Sequence, residues 1–493
     1  MLMSIIERNK YFGKESYVVF ADAVKCFDKL WLEDGIRELI EAGMRVEDAA
    51  MIYKMNEKAD IVVQCPAGKT DAINAENTVR QGTVFGPILC AVSTDKINTI
   101  GERIKSSIGP NLEVGALVFM DDIASIGDKT KAEETIRSMR RLETQKKFTF
   151  SQEKSAYLIA NGTSQSEKLE TRIEMGILRQ VKEYKYLGTI VNAEMDMKGE
   201  LKKMKGKIMH KVQTVRNIAS ERNIGSLAVS SRLQMVESVI IPSILVNVEA
   251  WLTISPTELK ELEKAQATVL KKIFEMPIST PYLGMLMEAG VLPVRARITY
   301  KRLMLYHGVM CGDKERLLRQ LFVEQKLENR KGTWVVETMR IGKECNIDVE
   351  RGEEMSRKVW KKMIKEKIRE VEEKRIKDEA KDMTKLRFIK DDKFERKKYL
   401  ENTTPEEAKI MMKVRLNMLG TKENYRSNDS DSKCEWCWED DTTEHLFKCK
   451  RTRRVREVYD ISEDNIYNTK EDKAIKNTVS YIKAINQMRL SEL

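Results

Sequence analysis

The sequence predicts an α+β domain, then a long helical region, then a small metal-binding module near the C-terminus. Three observations carry this. Residues 1–195 alternate short apolar, β-rich runs with helix-spaced stretches, the mark of α+β construction. From residue 196 the β signal fades and helical spacing takes over. Cys434, Cys437, His445 and Cys449 then fall close together in a chain with only 3 histidines, which is a metal pattern rather than a disulfide framework.

The elements follow in order. Residues 17–21 are a compact apolar strand. Residues 31–56 keep helical spacing through Leu32, Ile36, Ile40, Met44, Ala49, Ile52 and Met55. Residues 60–64 and 115–119 are strand-like, and 131–147 are helical. Beyond them, 201–218, 230–239, 256–274 and 293–310 read as helices, with Ser255-Pro256 as a helix start. Met355, Val359, Met363, Ile368, Val371, Ile376, Ala380 and Met383 trace a thin apolar stripe on a long charged helix. The stripe reads first as a solvated helix docked by one narrow face, with a nucleic-acid-facing helix as the alternative. Residues 427–433 form a polar linker.

Composition narrows the function. Of 493 residues, 41% are apolar and 33% charged, which excludes a membrane-embedded chain and a wholly disordered one. The stretch 239–252 is broken by Pro242, Ser243, Asn247 and Glu249 and reads as too short and too polar to span a bilayer. No secretory signal opens the chain. Lys and Arg number 88 against 77 Asp and Glu, and the resulting +11 suits a polyanion partner, although many proteins without one are as basic. Cys26, Cys65, Cys90, Cys311 and Cys345 are scattered and read as reduced, mostly buried thiols.

Three segments carry candidate chemistry. In 18–28 an apolar strand ends in Asp22, which delivers a carboxylate to the sheet rim, where it can meet a metal; the bland reading is a helix N-cap. Arg80-Gln81-Gly82 opens a turn that leads into a helix at Gly86-Pro87. In 116–123 two apolar runs flank Asp121-Asp122, a tight hairpin signal because Asp tolerates turn geometry; a solvated hairpin tip is the bland reading. Each is ordinary alone. Their order and composition together are not.

As a set these segments resemble reverse transcriptases. Phe20-Ala21-Asp22 with Cys26-Phe27-Asp28 resembles motif A, Arg80-Gln81-Gly82 motif B, and Phe119-Met120-Asp121-Asp122 motif C. Residues 147–155 are similar to motif D, and Tyr184-Lys185-Tyr186-Leu187-Gly188 to motif E. The Tyr-Leu-Gly form of motif E, the 262–266 helix, Thr280-Pro281-Tyr282 and Gly290-Val291-Leu292-Pro293 resemble the non-LTR, LINE-type retrotransposon branch. The resemblance is strong to about residue 195 and looser beyond. It implies a right-hand polymerase fold: a palm with an antiparallel sheet and partial fingers over 1–195, a helical thumb over 196–332, a charged helical connector over 333–426, and a zinc module with a basic tail over 427–493.

The implied function is RNA-directed DNA polymerisation on an RNA template, with a DNA primer and dNTPs as partners, no membrane, a nuclear or cytoplasmic location, and an open oligomeric state. Nucleotidyl transfer uses two divalent cations about 3.5–4 Å apart, and hard Mg²⁺ prefers carboxylate oxygens. The resemblance assigns Asp22 and Asp121 to two Mg²⁺ ions, with Asp122 beside them and the Ala23 carbonyl as an extra ligand. Phe27 matches the steric gate that excludes a ribose 2′-hydroxyl, and Arg80, Gln81 and Gly82 match the turn against nucleotide and template. Met120 would touch the primer end, and Tyr186-Leu187-Gly188 would grip the primer. Lys154 matches the proton donor to the departing pyrophosphate, with a plain surface lysine as the competing reading.

The chain departs from the family in one respect. Only about 16 residues precede the first strand, where the family carries most of its fingers, and Arg8, Lys10 and Lys14 do not replace them. No N-terminal endonuclease fits there, and nothing after Cys449 resembles a nuclease. The expectation is therefore an N-terminally truncated piece of a retroelement polyprotein. The alternative function is a nucleic-acid-binding remnant that cannot polymerise.

Cys434-x2-Cys437-x7-His445-x3-Cys449 offers one Zn²⁺ ion four tetrahedral ligands. The CxxC turn supplies two thiolates, and His445 and Cys449, four apart, share a face of a helical turn. The arrangement is similar to the Cys-Cys-His-Cys element that follows the thumb in LINE-type proteins. Residues 450–456 add five basic side chains, read as a phosphate contact, a nuclear import signal or a solvated helix start.

Overall fold

Val18, Val19 and Phe20 in succession leave a strand no face to give to solvent, so it must be covered on both sides. That strand, β1 (Ser16–Asp22), is buried along all but its last residue. In the computed structural model, which describes residues 1–24, 32–57, 59–75, 83–92, 106–107, 112–119, 121–144, 149–163, 168–169, 172–173, 176–220, 227–389, 392–424, 432–463 and 465–491, it lies at the middle of a five-stranded sheet. The others are β2 (Ala116–Phe119), β3 (Asp122–Gly127), β4 (Ala156–Ala160) and β5 (Arg179–Gln180), in the order β5-β4-β1-β3-β2. All neighbours are antiparallel except β4 and β5.

Strand alternation sorts the core into two layers. Tyr17, Val19 and Ala21 join Ile123 on one face, packed with Leu32, Leu39, Ile52 and Ile136. Val18 and Phe20 join Ala124, Ile126 and Leu158 on the other, packed with Leu2, Ile5, Ile6 and Leu321. The helices that supply these residues are α1 (Leu2–Tyr11), α2 (Leu32–Glu41), α3 (Val46–Asn56), α4 (Lys129–Thr144) and the helix Leu317–Glu328. The single helical run expected over 31–56 is two helices. Gly43 takes φ +100°, its N–H returns to Ile40 O and that of Met44 to Leu39 O, which ends α2 in a left-handed cap. Likewise, 60–64 is divided between Ala59–Ile61, paired with Ile73–Ala75, and Gln64–Cys65, paired with Gly68–Lys69. Cys90 and Cys345 are buried as expected, but Cys65 and Cys311 are exposed, and Cys26 lies outside the described residues.

The chain divides into two units: Met1–Met197 with Asp313–Trp334, and Lys198–Gly312 with Val335–Leu493. Residues 313–334 thus group with the sheet, within a range read from sequence as part of the helical region. Ion pairs hold them there. Arg8, 3% exposed, pairs with Glu324 and with Glu328 at 2.8 Å, and Arg330 pairs with both Glu7 oxygens and lies over the Tyr11 ring. Near the other edge of the sheet, Asp128 caps α4 through the Lys131 N–H, 2.8 Å. The buried Lys131 ammonium donates to Val114 O and Gly115 O, 2.5 and 2.7 Å, and so ties α4 to the entry of β2.

In the second unit, Lys198–Ser220, Pro256–Ile273, Val294–Met310 and Arg357–Lys381 form where helical spacing placed helices. Ser255 and Glu258 make the capping box at Pro256. In Arg357–Lys381 the buried seam is Trp360, Ile364, Ile368, Glu372, Ile376 and Ala380, every fourth residue, whereas Val359 is exposed. Ile368, Ile376 and Ala380 of the expected stripe lie on this seam, which also takes in Trp360, Ile364 and Glu372, the last neutralised by Arg375 at 2.8 Å. The helical run Val229–Ala250 begins ten residues before the stretch judged too short for a membrane, and at 22 residues and mean hydropathy 1.4 it is long and apolar enough to cross one. Leu233, Val236 and Ile240 in it are fully buried, Val239 and Val246 are exposed, and Glu237 pairs with Arg297 and Glu249 with Lys301. A π-helical turn, Val236–Ile240, precedes Pro242, which has no N–H to give the ladder.

A buried polar knot joins the helices Tyr282–Ala289 and Pro405–Arg415. Glu288, fully buried, takes hydrogen bonds from Arg415 Nε and Nη2 at 2.9–3.1 Å and from the Tyr399 hydroxyl at 2.6 Å. Arg415 also pairs with Asp392 and donates to Tyr467 O, 2.6 Å. Removing one member strands a buried charge. Glu288→Leu is expected to destabilise this unit by about 3–5 kcal/mol in denaturant unfolding, with Glu288→Leu/Arg415→Met recovering most of the loss; a single-variant loss under about 1 kcal/mol would contradict the arrangement.

Burial pushes the Lys131 ammonium down from 10.5 to about 8, against a smaller opposing pull from Asp128. The unfolded chain therefore binds the proton more tightly, and the folded state gains stability as pH rises from about 8 to 10.5. Lys131→Met should destabilise the first unit at neutral pH, because two carbonyls lose their donor. The stability gap between wild type and variant should widen across that pH window, and a constant gap in thermal unfolding would count against this burial.

Candidate active site

The antiparallel register of β1 and β3 sets Asp22 directly opposite Asp122. Side chains so placed have Cβ atoms about 4.5–5.5 Å apart. β2 and β3 close on Phe119 and Asp122, so Asp121 sits in the two-residue turn between them, the tight hairpin that the Asp-Asp pair predicted. By alternation Asp22 and Asp122 continue the face of Phe20 and Ala124. Three carboxylates thus meet at one end of the sheet.

The main chain of Asp22 is clamped by the segment 151–155. Its N–H donates to Ser155 Oγ at 3.1 Å, and its carbonyl accepts from the Ser151 N–H at 2.9 Å. Ala23 bridges to Phe150, and the Val24 N–H donates to Thr149 O. Lys154, in the same turn, brings its ammonium to 3.3 Å from Asp22 Oδ1. That oxygen is buried and has no aligned hydrogen bond among the described residues, so the contact is ionic. Burial raises the Asp122 carboxyl above its ordinary value; the charges of Asp121 and Asp22 add to the rise and Lys154 opposes it. One lysine beside three carboxylates leaves the cluster net negative and suited to hard cations.

A hairpin of β6 (Glu183–Tyr186) and β7 (Thr189–Asn192) covers this face. Its turn residues Leu187 and Gly188 both have positive φ, +46° and +83°, the backbone of a two-residue primed turn. Leucine in that region costs about 1–2 kcal/mol, and the hairpin holds it there. Tyr184 stacks on Phe20 at 4.0 Å with the rings nearly parallel, and its hydroxyl donates to Lys154 O at 2.7 Å. Burial, with Asp22 and Asp122 adding to it, pushes that hydroxyl up to about 12. Tyr186 donates to Leu117 O at 3.1 Å.

The structure therefore brings together Asp22, Asp121, Asp122, Lys154 and, through the hairpin, Tyr186. Phe27, Arg80, Gln81, Gly82 and Met120 lie outside the described residues. Residues 86–92 are helical, and the Gly86 N–H donates to Thr83 Oγ1. The anchoring by Ser155 and Tyr184 was missed from sequence. Tyr184 and Tyr186 two apart on a strand was the available signal, since period-2 spacing puts both rings on one face.

In the second unit, the ligand atoms of Cys434, Cys437, His445 and Cys449 all lie within 4.8 Å of one another. Cys437 Sγ is 3.2 Å from His445 Nε2 and 3.8 Å from Cys449 Sγ. The CxxC turn folds back as Cys434 N–H donates to Glu439 O and Trp438 N–H to Cys434 O, with Trp438 at φ +63°. Thr442 caps the short helix that carries His445, and Glu439 approaches His445 Nδ1 at 3.3 Å, which directs Nε2 at the thiols. Burial raises the Cys434 thiol and pushes that of Cys449 up to about 11, so thiolates here need a cation. Of the basic run, Arg456 turns back to Cys449 O and Arg453 pairs with Glu457.

Residues 3–191 match the family described as "Reverse transcriptase (RNA-dependent DNA polymerase)". Comparison with curated proteins gives no match. Among solved structures, the chain is similar to telomerase from Candida tropicalis in complex with a TWJ fragment of telomeric RNA, with 11% identity and TM-score 0.29 over 56% of this chain and 48% of that one. It is also similar to telomerase from Candida albicans in the same kind of complex, with 10% identity and TM-score 0.27 over 61% of this chain and 52% of that one. The chain thus spans about half the length of these structures. The stretch that matches the reverse transcriptase family takes in both β1 with Asp22 and the hairpin with Asp121 and Asp122.

Proposed function

We propose that the chain is the RNA-directed DNA polymerase region of a non-LTR retrotransposon, adding nucleotides from dNTPs to the 3′-hydroxyl of a DNA primer on an RNA template. The observation that carries this is the cross-strand pair Asp22–Asp122 beside Asp121, inside the stretch that matches the reverse transcriptase family. The Tyr186-Leu187-Gly188 turn and the Cys-Cys-His-Cys cluster support the non-LTR branch.

The donors fit Mg²⁺: all are oxygens, and the buried Asp22 Oδ1, without an aligned hydrogen bond among the described residues, calls for a cation. When bound, two such ions activate the primer hydroxyl and neutralise the triphosphate. Asp22 and Asp121 hold them through carboxylate oxygens, Ala23 adds its carbonyl, and Asp122 deepens the negative field. Lys154 gives a proton to the departing pyrophosphate from its ammonium. The strained Leu187-Gly188 turn with Tyr186 presents the primer end, Met120 touches it, Phe27 excludes ribonucleotides, and Arg80, Gln81 and Gly82 lie against nucleotide and template. The helices from Lys198 to Met310 serve as the thumb. Three thiols and one imidazole, with Glu439 behind the histidine, fit one Zn²⁺ as a structural cross-link.

Asp121→Asn should cut primer extension on RNA by at least about a hundred-fold, roughly 3 kcal/mol, with the unfolding transition unchanged. Extension at the wild-type rate would refute the assignment. The purified chain should carry one zinc per molecule by elemental analysis. Cys437→Ser should lose it and expose residues 432–455 to fast hydrogen exchange, while β1, β3 and β4 stay protected. Zinc-free wild-type protein, prepared without chelators, would remove the zinc claim.

A further inference from the structure

We propose that Lys154 is the built-in counter-cation of the carboxylate cluster: it neutralises Asp22 while no divalent ion is bound, and metal loading displaces it, freeing its ammonium for the leaving pyrophosphate. This rests on the polymerase reading above and adds to it an order of events, in which the proton donor is released only once the metal is in place.

The geometry carries it in three steps. Asp22 Oδ1 is shut off from water and takes no aligned hydrogen bond among the described residues, so a cation beside it relieves its charge. The ammonium at 3.3 Å supplies one, on the same oxygen that a divalent ion would claim. Lys154 is held at its base and loose at its tip. Its carbonyl accepts the Tyr184 hydroxyl at 2.7 Å and its N–H reaches Ser151 Oγ at 3.3 Å, while its side chain is 69% exposed. A fixed backbone with a solvated four-carbon stem lets the ammonium leave Asp22 without moving the turn. The same segment anchors both partners, since Ser151 and Ser155 hold the main chain of Asp22. An ion pair with so exposed a partner is weak enough to exchange.

The test uses the full chain and reads Lys154 directly. Acetic anhydride labelling of Lys154, quantified by mass spectrometry, should be slow in metal-free protein and rise about three-fold or more with saturating Mg²⁺. Asp22→Asn should label fast with or without Mg²⁺. Tyr184→Phe, which keeps the ring and every charge, should raise the metal-free rate by loosening the base of Lys154. Mn²⁺ titration followed by electron paramagnetic resonance should show Lys154→Gln binding about two- to five-fold more tightly at the site that Asp121→Asn removes. If Mn²⁺ binds in an Asp121-dependent way but Lys154 labelling ignores Mg²⁺, the counter-cation role is wrong and the polymerase reading stands. If Asp121→Asn leaves Mn²⁺ binding unchanged, both fall.

Discussion

Everything at the site hangs on the backbone pairing of β1 with β3 on one side and β4 on the other. A strand slipped by one residue presents every side chain to the opposite face. For β1 that would turn Phe20 toward Ile123 and Ile136, turn Val19 toward Ile5 and Ile6, and part Asp22 from Asp122. Because both faces are filled by large, different side chains, such a slip loses packing on two layers at once. The register that gathers the carboxylates is therefore held by the apolar residues around them, and the carboxylates themselves work against it.

That opposition is visible in the electrostatics. Asp122 is raised by burial and by its two acidic neighbours, so the cluster is a place where folding energy is spent to concentrate negative charge. The same face carries a second tension, in the left-handed Leu187 of the covering hairpin. Tyr184 and Tyr186 lock that hairpin down, one through Phe20 and Lys154 and the other through Leu117 O. Strain and charge sit together, and the two-sided core around β1 supports both.

What was legible in the sequence was local. The strand ending in Asp22, the hairpin around Asp121-Asp122, the capped helix at Pro256 and the four-ligand cluster each draw on residues close in the chain, so spacing alone reveals them. The motif residues Phe27, Arg80, Gln81, Gly82 and Met120 fall outside the described residues. Long-range partners were not legible. Nothing in the sequence says that Arg8 meets Glu324 and Glu328, or that Glu288 closes on Arg415, because a charged residue carries no mark of its distant partner. The stripe of Arg357–Lys381 was legible at Ile368, Ile376 and Ala380 but not at Glu372, because a neutralised glutamate behaves as a core residue, which hydrophobic periodicity cannot register.

The central claim is that Asp22 and Asp121 meet at one end of the sheet to hold divalent cations. Anomalous diffraction from crystals grown with primer–template, a non-hydrolysable dNTP and Mn²⁺ tests it most directly. Two Mn²⁺ peaks about 3.5–4 Å apart, each within bonding distance of an oxygen of Asp22 or Asp121, are the expected result. Bound nucleotide with no metal peak at those carboxylates would contradict it.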